Sequence, residues 1–116
     1  ITFYWLPSCS TCQKAAQYLE ERNHKINEWR DIKLEPLGRE EVARLAELVG
    51  GASELFSRRA RKYREMNLHN QKLSDDDMLD LMAREYTFIK RPVLVSGERA
   101  VAGFTGKNYE RFFDEA

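Results

Sequence analysis

Residues 1–14 read ITFYWLPSCSTCQK, and the residue types in this stretch predict a strand followed directly by a helix. The first six residues are almost all β-branched or aromatic, which favours a buried strand. Pro7 then stops the strand, because proline is confined to strand ends and turns. Cys9 and Cys12 follow at once. A pair of cysteines three residues apart is therefore expected where the strand ends and the helix begins.

The helix is indicated by a change of period from residue 8 onward. Its apolar stripe has the helical spacing i, i+3, i+4 and i+7 and comprises Cys12, Ala15, Ala16 and Leu19. Either Ser8 or Ser10 is expected to cap this helix, and Ser10 with Gln13 has the spacing of a capping box.

A cysteine pair at this position is suited to redox chemistry. Backbone N–H groups and the positive end of the helix dipole favour an anion at a helix N-terminus, and a thiolate is such an anion. Cys9, in the first turn and facing outward, is expected to have the lower pKa and to act as a nucleophile. Cys12, one turn further along the apolar stripe, is expected to be more buried and to resolve a mixed disulfide.

Two other uses of the pair are open, a zinc half-site and a purely structural role. Zinc usually takes four ligands, and the other candidates here are His24 and His69. Both stand in polar, loop-like surroundings without ligand spacing to the cysteines. The position of the pair favours redox chemistry, and no metal site is predicted.

Composition narrows the class of protein. The 116 residues include 19 basic and 19 acidic side chains, so the formal net charge is zero, which argues against direct binding of nucleic acid. No apolar run approaches the roughly 20 residues that span a bilayer, so no membrane association is predicted. With only two cysteines, the chain does not resemble a secreted disulfide scaffold, and we expect a cytoplasmic protein.

The rest of the chain predicts further elements in a definite order. They are a strand in residues 26–32, a helix over Arg39–Val49 that stops at Gly50-Gly51, a helix that begins at Ser74, a hairpin of residues 93–95 and 100–103, and a helix over residues 108–114. This order, β-α-β and then β-β-α, predicts an α/β protein with a four-stranded mixed sheet. We expect a single domain over residues 1–116, with residues 37–88 as a helical insertion.

Two groups of side chains are interpreted as structural. The aromatic residues of the predicted strands and last helix are assigned to the core: Trp5, Trp29, Phe112 and Phe113. The basic run in residues 58–64 is interpreted as a solvated helix face, although a patch for nucleic acid or for an acidic partner is the alternative.

With these elements placed, the chain resembles the family that groups glutaredoxin-like arsenate reductases with the Spx transcriptional regulators. The resemblance covers nearly the whole chain and rests on five segments: residues 9–15 (CSTCQKA), 35–37 (EPL), 55–59 (LFSRR) with Tyr63, 91–92 (RP) and 103–104 (GF). It implies a thioredoxin fold with an inserted helical subdomain. It also implies that Pro92 is a cis-proline beside the thiols, shaping the substrate groove.

The resemblance carries over to individual site residues. The position of Cys9 is that of the single nucleophile of the arsenate reductases, whose three arginines hold the oxyanion while glutathione and glutaredoxin complete the cycle. Arg91 corresponds to one of these arginines and Arg59 to a second, with Arg58 as the alternative. The segment corresponding to the third, residues 101–104, reads VAGF and has no arginine. A clamp without its third donor is expected to bind arsenate poorly.

Cys12 also departs from the reductase pattern and points toward the Spx side of the family, where a Cys-x-x-Cys is a redox switch. Those regulators bind the C-terminal domain of the RNA polymerase α subunit through a surface that includes a glycine corresponding to Gly51. The interpretation of Gly50-Gly51 as a helix C-cap is favoured over a partner site.

Three functions follow from the sequence and the resemblance. The first is a thiol–disulfide redox protein that acts on a protein disulfide or a small thiol through Cys9 and Cys12. The second is an Spx-type regulator that binds RNA polymerase, and the third is a glutathione-dependent arsenate reductase. No bound cofactor is expected, and the reductant would be glutathione or a thioredoxin/glutaredoxin system.

Overall fold

A four-stranded mixed sheet and two helices form the first of two units in this computed structural model, which describes residues 1–115. This first unit comprises residues 1–35 and the chain from Arg91 onward, and the second comprises Pro36–Lys90. The predicted insertion, residues 37–88, falls within the second unit. The single-domain assignment stays a prediction, and its last residue, Ala116, lies outside the described residues.

The elements follow the predicted order. In the first unit they are β1 (Thr2–Trp5), α1 (Ser10–Glu21), β2 (Glu28–Asp31), β3 (Val93–Ser96), β4 (Arg99–Ala102) and α6 (Gly106–Asp114). In the second unit they are α2 (Arg39–Val49), α3 (Ala52–Leu55), α4 (Arg61–Glu65) and α5 (Asp75–Arg84), with short 3₁₀ turns at Leu68–Asn70 and Tyr86–Phe88.

The sheet has the strand order β2-β1-β3-β4. β1 pairs in parallel with β2, whereas the β1–β3 and β3–β4 pairs are antiparallel. The parallel pair is joined by a helix and the last antiparallel pair by a tight turn, as the different demands of the two pairings require. The predicted α/β class and mixed four-stranded sheet are confirmed.

One row of side chains crosses the sheet and builds the core of the first unit. The strand register aligns Phe3 with Trp29 on one side and with Leu94 on the other, and Leu94 with Val101. Phe3 and Leu94 are wholly buried and pack with residues of both helices: Ala15 and Leu19 of α1, and Tyr109 and Phe112 of α6. Alternation along β1 therefore directs Phe3 toward α1 and α6.

Trp29 is not a core residue, contrary to the sequence-based expectation. It lies in the same row as Phe3, but 46% of its surface is exposed. β2 is an edge strand, so this end of the row has a neighbour on one side only. Its indole instead lies against Trp5, with the ring centroids 4.7 Å apart.

The helices of the second unit begin and end at residues that the sequence identifies. α2 ends at Gly50, whose φ of +108° is left-handed, and the N–H of Gly51 donates to the carbonyl of Ala46 at 2.7 Å, as in a Schellman motif. α5 begins at a capping box in which Ser74 and Asp77 each bind the other's backbone N–H. The charged side chains of residues 58–64 are exposed, in line with a solvated face.

The last helix begins earlier than its apolar pattern indicates. α6 starts at Gly106 rather than at residue 108, because Thr105 caps it in a reciprocal pair with Asn108. A threonine cap with asparagine at the third helical position forms the same two bonds as the usual capping box. The apolar stripe, which begins after the cap, therefore predicted a helix that is too short at its N-terminus.

Candidate thiol site

Cys9 itself caps α1, and this corrects the expectation of a serine cap at Ser8 or Ser10. Its backbone is extended, and its Sγ accepts a hydrogen bond from the backbone N–H of Cys12 at 3.3 Å. The Cys9 N–H in turn donates to the carbonyl of Leu6 at 3.0 Å, which holds the loop after β1. A sulfur atom thus occupies the position where a helix N-terminus favours an acceptor with negative charge.

No acidic side chain competes with Cys9 for the N-terminus of α1. The first turn of α1 has no acidic side chain. By contrast, the first turn of α5 carries three: Asp75, Asp76 and Asp77. Since acidic side chains commonly compensate the helix dipole, the Cys9 thiolate is the group that can do so in α1.

The two thiols differ in exposure as the helical pattern predicted. Cys9 is half-buried, whereas Cys12 is wholly buried, and both are free thiols. Cys12 lies one turn beyond Cys9 on the buried face of α1, together with Ala15 and Leu19. An incoming disulfide can therefore reach Cys9 first.

The environment of Cys9 favours its ionised form. Burial alone would raise the pKa of this thiol, but hydrogen bonds from the thiol and the backbone N–H of Cys12 lower it. The positive charge of Arg91 and a hydrogen bond from its side chain act in the same direction. The net result is a pKa of Cys9 below the ordinary value for cysteine.

Cys12 shows the opposite behaviour. Burial, followed by the hydrogen bond and the charge that it shares with Cys9, raises the pKa of Cys12 to about 12. Only one of two thiols that share a hydrogen bond can easily lose its proton, because the second negative charge would lie beside the first. Cys9 is therefore the more easily ionised of the two thiols, and Cys12 keeps its proton at neutral pH.

Arg91 and Pro92 approach the cysteines from β3. The β1–β3 register pairs Tyr4, near the end of β1, with Val93, so residues 91–92 lie at the sheet end where the Cys9 loop begins. The Arg91–Pro92 peptide bond is cis, which confirms that implication of the resemblance. Pro92 is buried, and its carbonyl accepts the N–H of Gly103 at 2.8 Å.

Three of the residues singled out from the sequence belong to the second unit. Arg58 and Arg59 are exposed in the turn between α3 and α4, and Arg58 Nη2 lies 3.5 Å from Ser53 Oγ. Gly51 precedes α3 with a φ of +138°. Roles for Arg59 in anion binding and for Gly51 in partner binding stay predictions.

The sequence does not predict the position of one buried polar atom. It belongs to Tyr109, an aromatic residue of the last predicted helix. This residue is wholly buried, and its hydroxyl oxygen has no hydrogen-bond partner within residues 1–115. A tyrosine at a core position of an amphipathic helix is the signal that was available, because tyrosine brings a polar atom that phenylalanine lacks.

Residues 1–115 contain neither a candidate metal site nor a helix that could cross a bilayer. No three His, Cys, Asp or Glu side chains of residues 1–115 are grouped so that they could hold a metal ion. None of the helices described is long and apolar enough to cross a bilayer.

A Cys-x-x-Cys pair at the start of the first helix, above a β-α-β and β-β-α sheet, defines a thiol protein with a thioredoxin-like fold. The particular family is the ArsC family, which matches residues 4–112, and the chain belongs to it.

Comparison with known proteins supports the same family. YusI of Bacillus subtilis (strain 168), an uncharacterized protein, is 39% identical over 113 residues, which are 95% of each chain. The global transcriptional regulator Spx of Enterococcus faecalis is 32% identical over 97% of this chain and 85% of its own. The structure of an arsenate reductase from Vibrio cholerae has a TM-score of 0.81 and 24% identity over 97% of this chain and 94% of its own, a likeness that shows the fold.

Proposed function

We propose that this protein is a thiol–disulfide redox protein in which Cys9 is the nucleophile and Cys12 the resolving residue. The observation that carries the proposal is the position of Cys9 Sγ. It accepts the Cys12 N–H at the start of α1 and lies beside Arg91, and these contacts lower the pKa of Cys9 although burial alone would raise it. The proposal assumes the reducing cytoplasm, in which both thiols are kept free.

The reaction is a pair of exchange steps. The Cys9 thiolate attacks one sulfur of a disulfide in a protein or a small molecule, and the other sulfur leaves as a thiolate that takes up a proton. Cys12 then loses its proton and attacks Cys9 Sγ, which forms the Cys9–Cys12 disulfide and releases the second thiol. The substrate gains two electrons and the protein loses them. Glutathione or a thioredoxin/glutaredoxin system would restore the thiols.

Arg91 is proposed to serve both the nucleophile and the substrate. Its hydrogen bond and charge stabilise the Cys9 thiolate, and a guanidinium has further donors for a carboxylate of a substrate such as glutathione disulfide. Pro92, next to it, would shape the groove in which the substrate disulfide lies. Arg59 is proposed to be a second cation that binds an anionic substrate.

Trapping the mixed disulfide tests the proposal and identifies the substrate. A Cys12→Ser variant retains the nucleophile but cannot resolve, so partners should accumulate on Cys9 and be released by dithiothreitol. The matched control is Cys9→Ser, which retains only the buried thiol and should trap nothing. In the wild-type protein Cys9 should be alkylated much faster than Cys12 near neutral pH. Equally slow alkylation of both thiols would exclude the assigned roles.

A second candidate function is that of a redox-controlled regulator that binds RNA polymerase. The similarity to proteins named global transcriptional regulator Spx favours it. Gly51 would then belong to a surface for the C-terminal domain of the RNA polymerase α subunit. Pull-down of that isolated domain with reduced and oxidised protein separates this function from a purely enzymatic one. Absence of binding in both states would remove it.

Arsenate reduction is the third candidate and has less support. Residues 101–104, beside Pro92 through the Gly103 hydrogen bond, supply no arginine for an oxyanion. Glutathione-dependent turnover of arsenate, measured with glutaredoxin present, is expected to be absent. Robust turnover would show that two arginines are enough.

A further inference from the structure

The Tyr109 hydroxyl is a polar group that the core of the first unit leaves unsatisfied. The residue is wholly buried, and none of the described residues hydrogen-bonds its hydroxyl. Burying a hydroxyl without a partner costs free energy, and phenylalanine would fill the same ring position without that cost. Its ring is already well held, at 4.7 Å from Phe104 and 5.7 Å from Tyr18 between centroids. The ring thus has a packing role, but the oxygen does not.

The position of Tyr109 suggests what the oxygen is for. Tyr109 packs against Ala15 and Leu19, which lie on the buried face of α1 that also carries Cys12. Burial and then the negative charge of Cys12 raise the pKa of Tyr109, so this hydroxyl keeps its proton and remains a donor. This protonated donor thus has no partner within residues 1–115, and it lies within range of a negative charge on Cys12.

The resolving step creates a need for such a donor. In the reduced protein, Cys12 donates its thiol hydrogen to Cys9. Once Cys9 is joined to a substrate sulfur, that charged partner no longer exists, yet Cys12 must lose its proton in a buried environment before it can attack. A buried thiolate without a hydrogen-bond donor is unfavourable.

We propose that Tyr109 is a positioning residue for the resolving step, in which its hydroxyl donates a hydrogen bond to the Cys12 thiolate. The inference rests on the proposed roles of Cys9 and Cys12. The step itself is unchanged. Cys12 loses a proton to water and attacks Cys9 Sγ, the Cys9–Cys12 bond forms, and the bond from Cys9 to the substrate sulfur breaks. The substrate sulfur departs as a thiolate and is protonated by water. Tyr109 keeps its proton throughout.

Stopped-flow reaction with dithiobis-nitrobenzoate separates the two exchange steps. The first coloured thiolate is released when Cys9 attacks and the second when Cys12 resolves. In Tyr109→Phe we expect an unchanged first phase and a second phase slowed by about tenfold, the effect of losing one hydrogen bond to a charged group. The pH profile of the second phase should move to higher pH, which a purely structural change would not cause.

The control is Tyr18→Phe, which removes the hydroxyl of a partly exposed tyrosine whose ring contacts Tyr109. Both of its phases should match those of the wild type. A second measurement uses Cys9→Ser protein, in which Cys12 is the single thiol and its ionisation is followed by thiolate absorbance. Adding Tyr109→Phe should raise the pKa of Cys12 there.

The outcomes distinguish the inference from the proposed function. Release of only one coloured thiolate by the wild-type protein would refute the resolving role of Cys12. A normal second phase in Tyr109→Phe, or equal slowing of both phases, would overturn the role of Tyr109 alone.

Discussion

Replacing Arg91 with glutamine should make Cys9 less reactive at neutral pH. Arg91 lowers the pKa of Cys9 through its charge and through a hydrogen bond from its side chain, and glutamine removes the charge. A hydrogen bond to a charged group is worth about 1.5–3 kcal/mol, and partial exposure of Cys9 places this one at the lower end. About 1.4 kcal/mol corresponds to a factor of ten between thiol and thiolate. We therefore expect alkylation of Cys9 at pH 7 to slow about tenfold.

The assay is iodoacetamide alkylation in a Cys12→Ser background, where Cys9 is the only thiol. Rates are measured across the pH range, because the variants should converge at high pH, where Cys9 is fully ionised in both. Arg99→Gln is the matched control. In the β3–β4 register, Ala102 lies opposite Val93, the residue that follows Pro92. Arg99 lies opposite Ser96, at the other end of the two strands. Arg99 is thus three residues, about 10 Å, along β4 from the thiol end of the sheet.

Two results would refute this account of Cys9. Unchanged alkylation at pH 7 in Arg91→Gln would show that the helix N-terminus and Cys12 alone activate the thiol. Equal slowing in Arg99→Gln would show that net charge, and not the contact of Arg91 with the thiol, sets the reactivity.

Three further predictions concern stability, each followed by chemical denaturation. Because folding raises the pKa of Cys12 to about 12, the unfolded chain binds fewer protons above pH 9. The free energy of unfolding should then fall by up to about 1.4 kcal/mol per pH unit more in the wild type than in Cys12→Ala; parallel pH profiles would contradict this. Ser74→Ala should lose the α5 capping box and about 1 kcal/mol, whereas Ser96→Ala, at an exposed strand end, should lose little. Gly50→Ala should cost about 1–2 kcal/mol of stability, because alanine is strained at a φ of +108°. An equal cost in Gly38→Ala, where φ is −75°, would show that the left-handed backbone is not the cause.

Helix boundaries show how far local patterns reach. α2 runs over Arg39–Val49 as predicted, because glycines stand at its end and glycine accommodates the left-handed backbone there. α6 was predicted too short, because its cap is a threonine outside the apolar stripe. The cap of α1 was assigned to a serine, because serine is the common cap. A cysteine can take that place where its ionised sulfur is the acceptor.

The positions of Trp29 and Tyr109 could not be read from the chain. Both have the residue type and spacing of core residues, and both are large aromatic side chains. Trp29 is exposed because strand order places β2 at an edge, and order is a property of the assembled sheet. Among the residues that the structure describes, the Tyr109 hydroxyl has no hydrogen-bond partner, because apolar side chains from β1, α1 and β3 pack around it.

The sequence by itself determined the α/β class, the order of elements and the unequal burial of Cys9 and Cys12. These follow from periodicity and spacing over a few residues, which local backbone geometry translates directly into faces of strands and helices. Only the tertiary structure decided which distant groups act on the two thiols. Arg91 reaches Cys9 through the antiparallel register of β1 and β3, and the charge of Cys12 reaches Tyr109 through the packing of α6 on the same core as α1. Charge and hydrogen bonding depend on distance in space, and the chain sets that distance only when it folds.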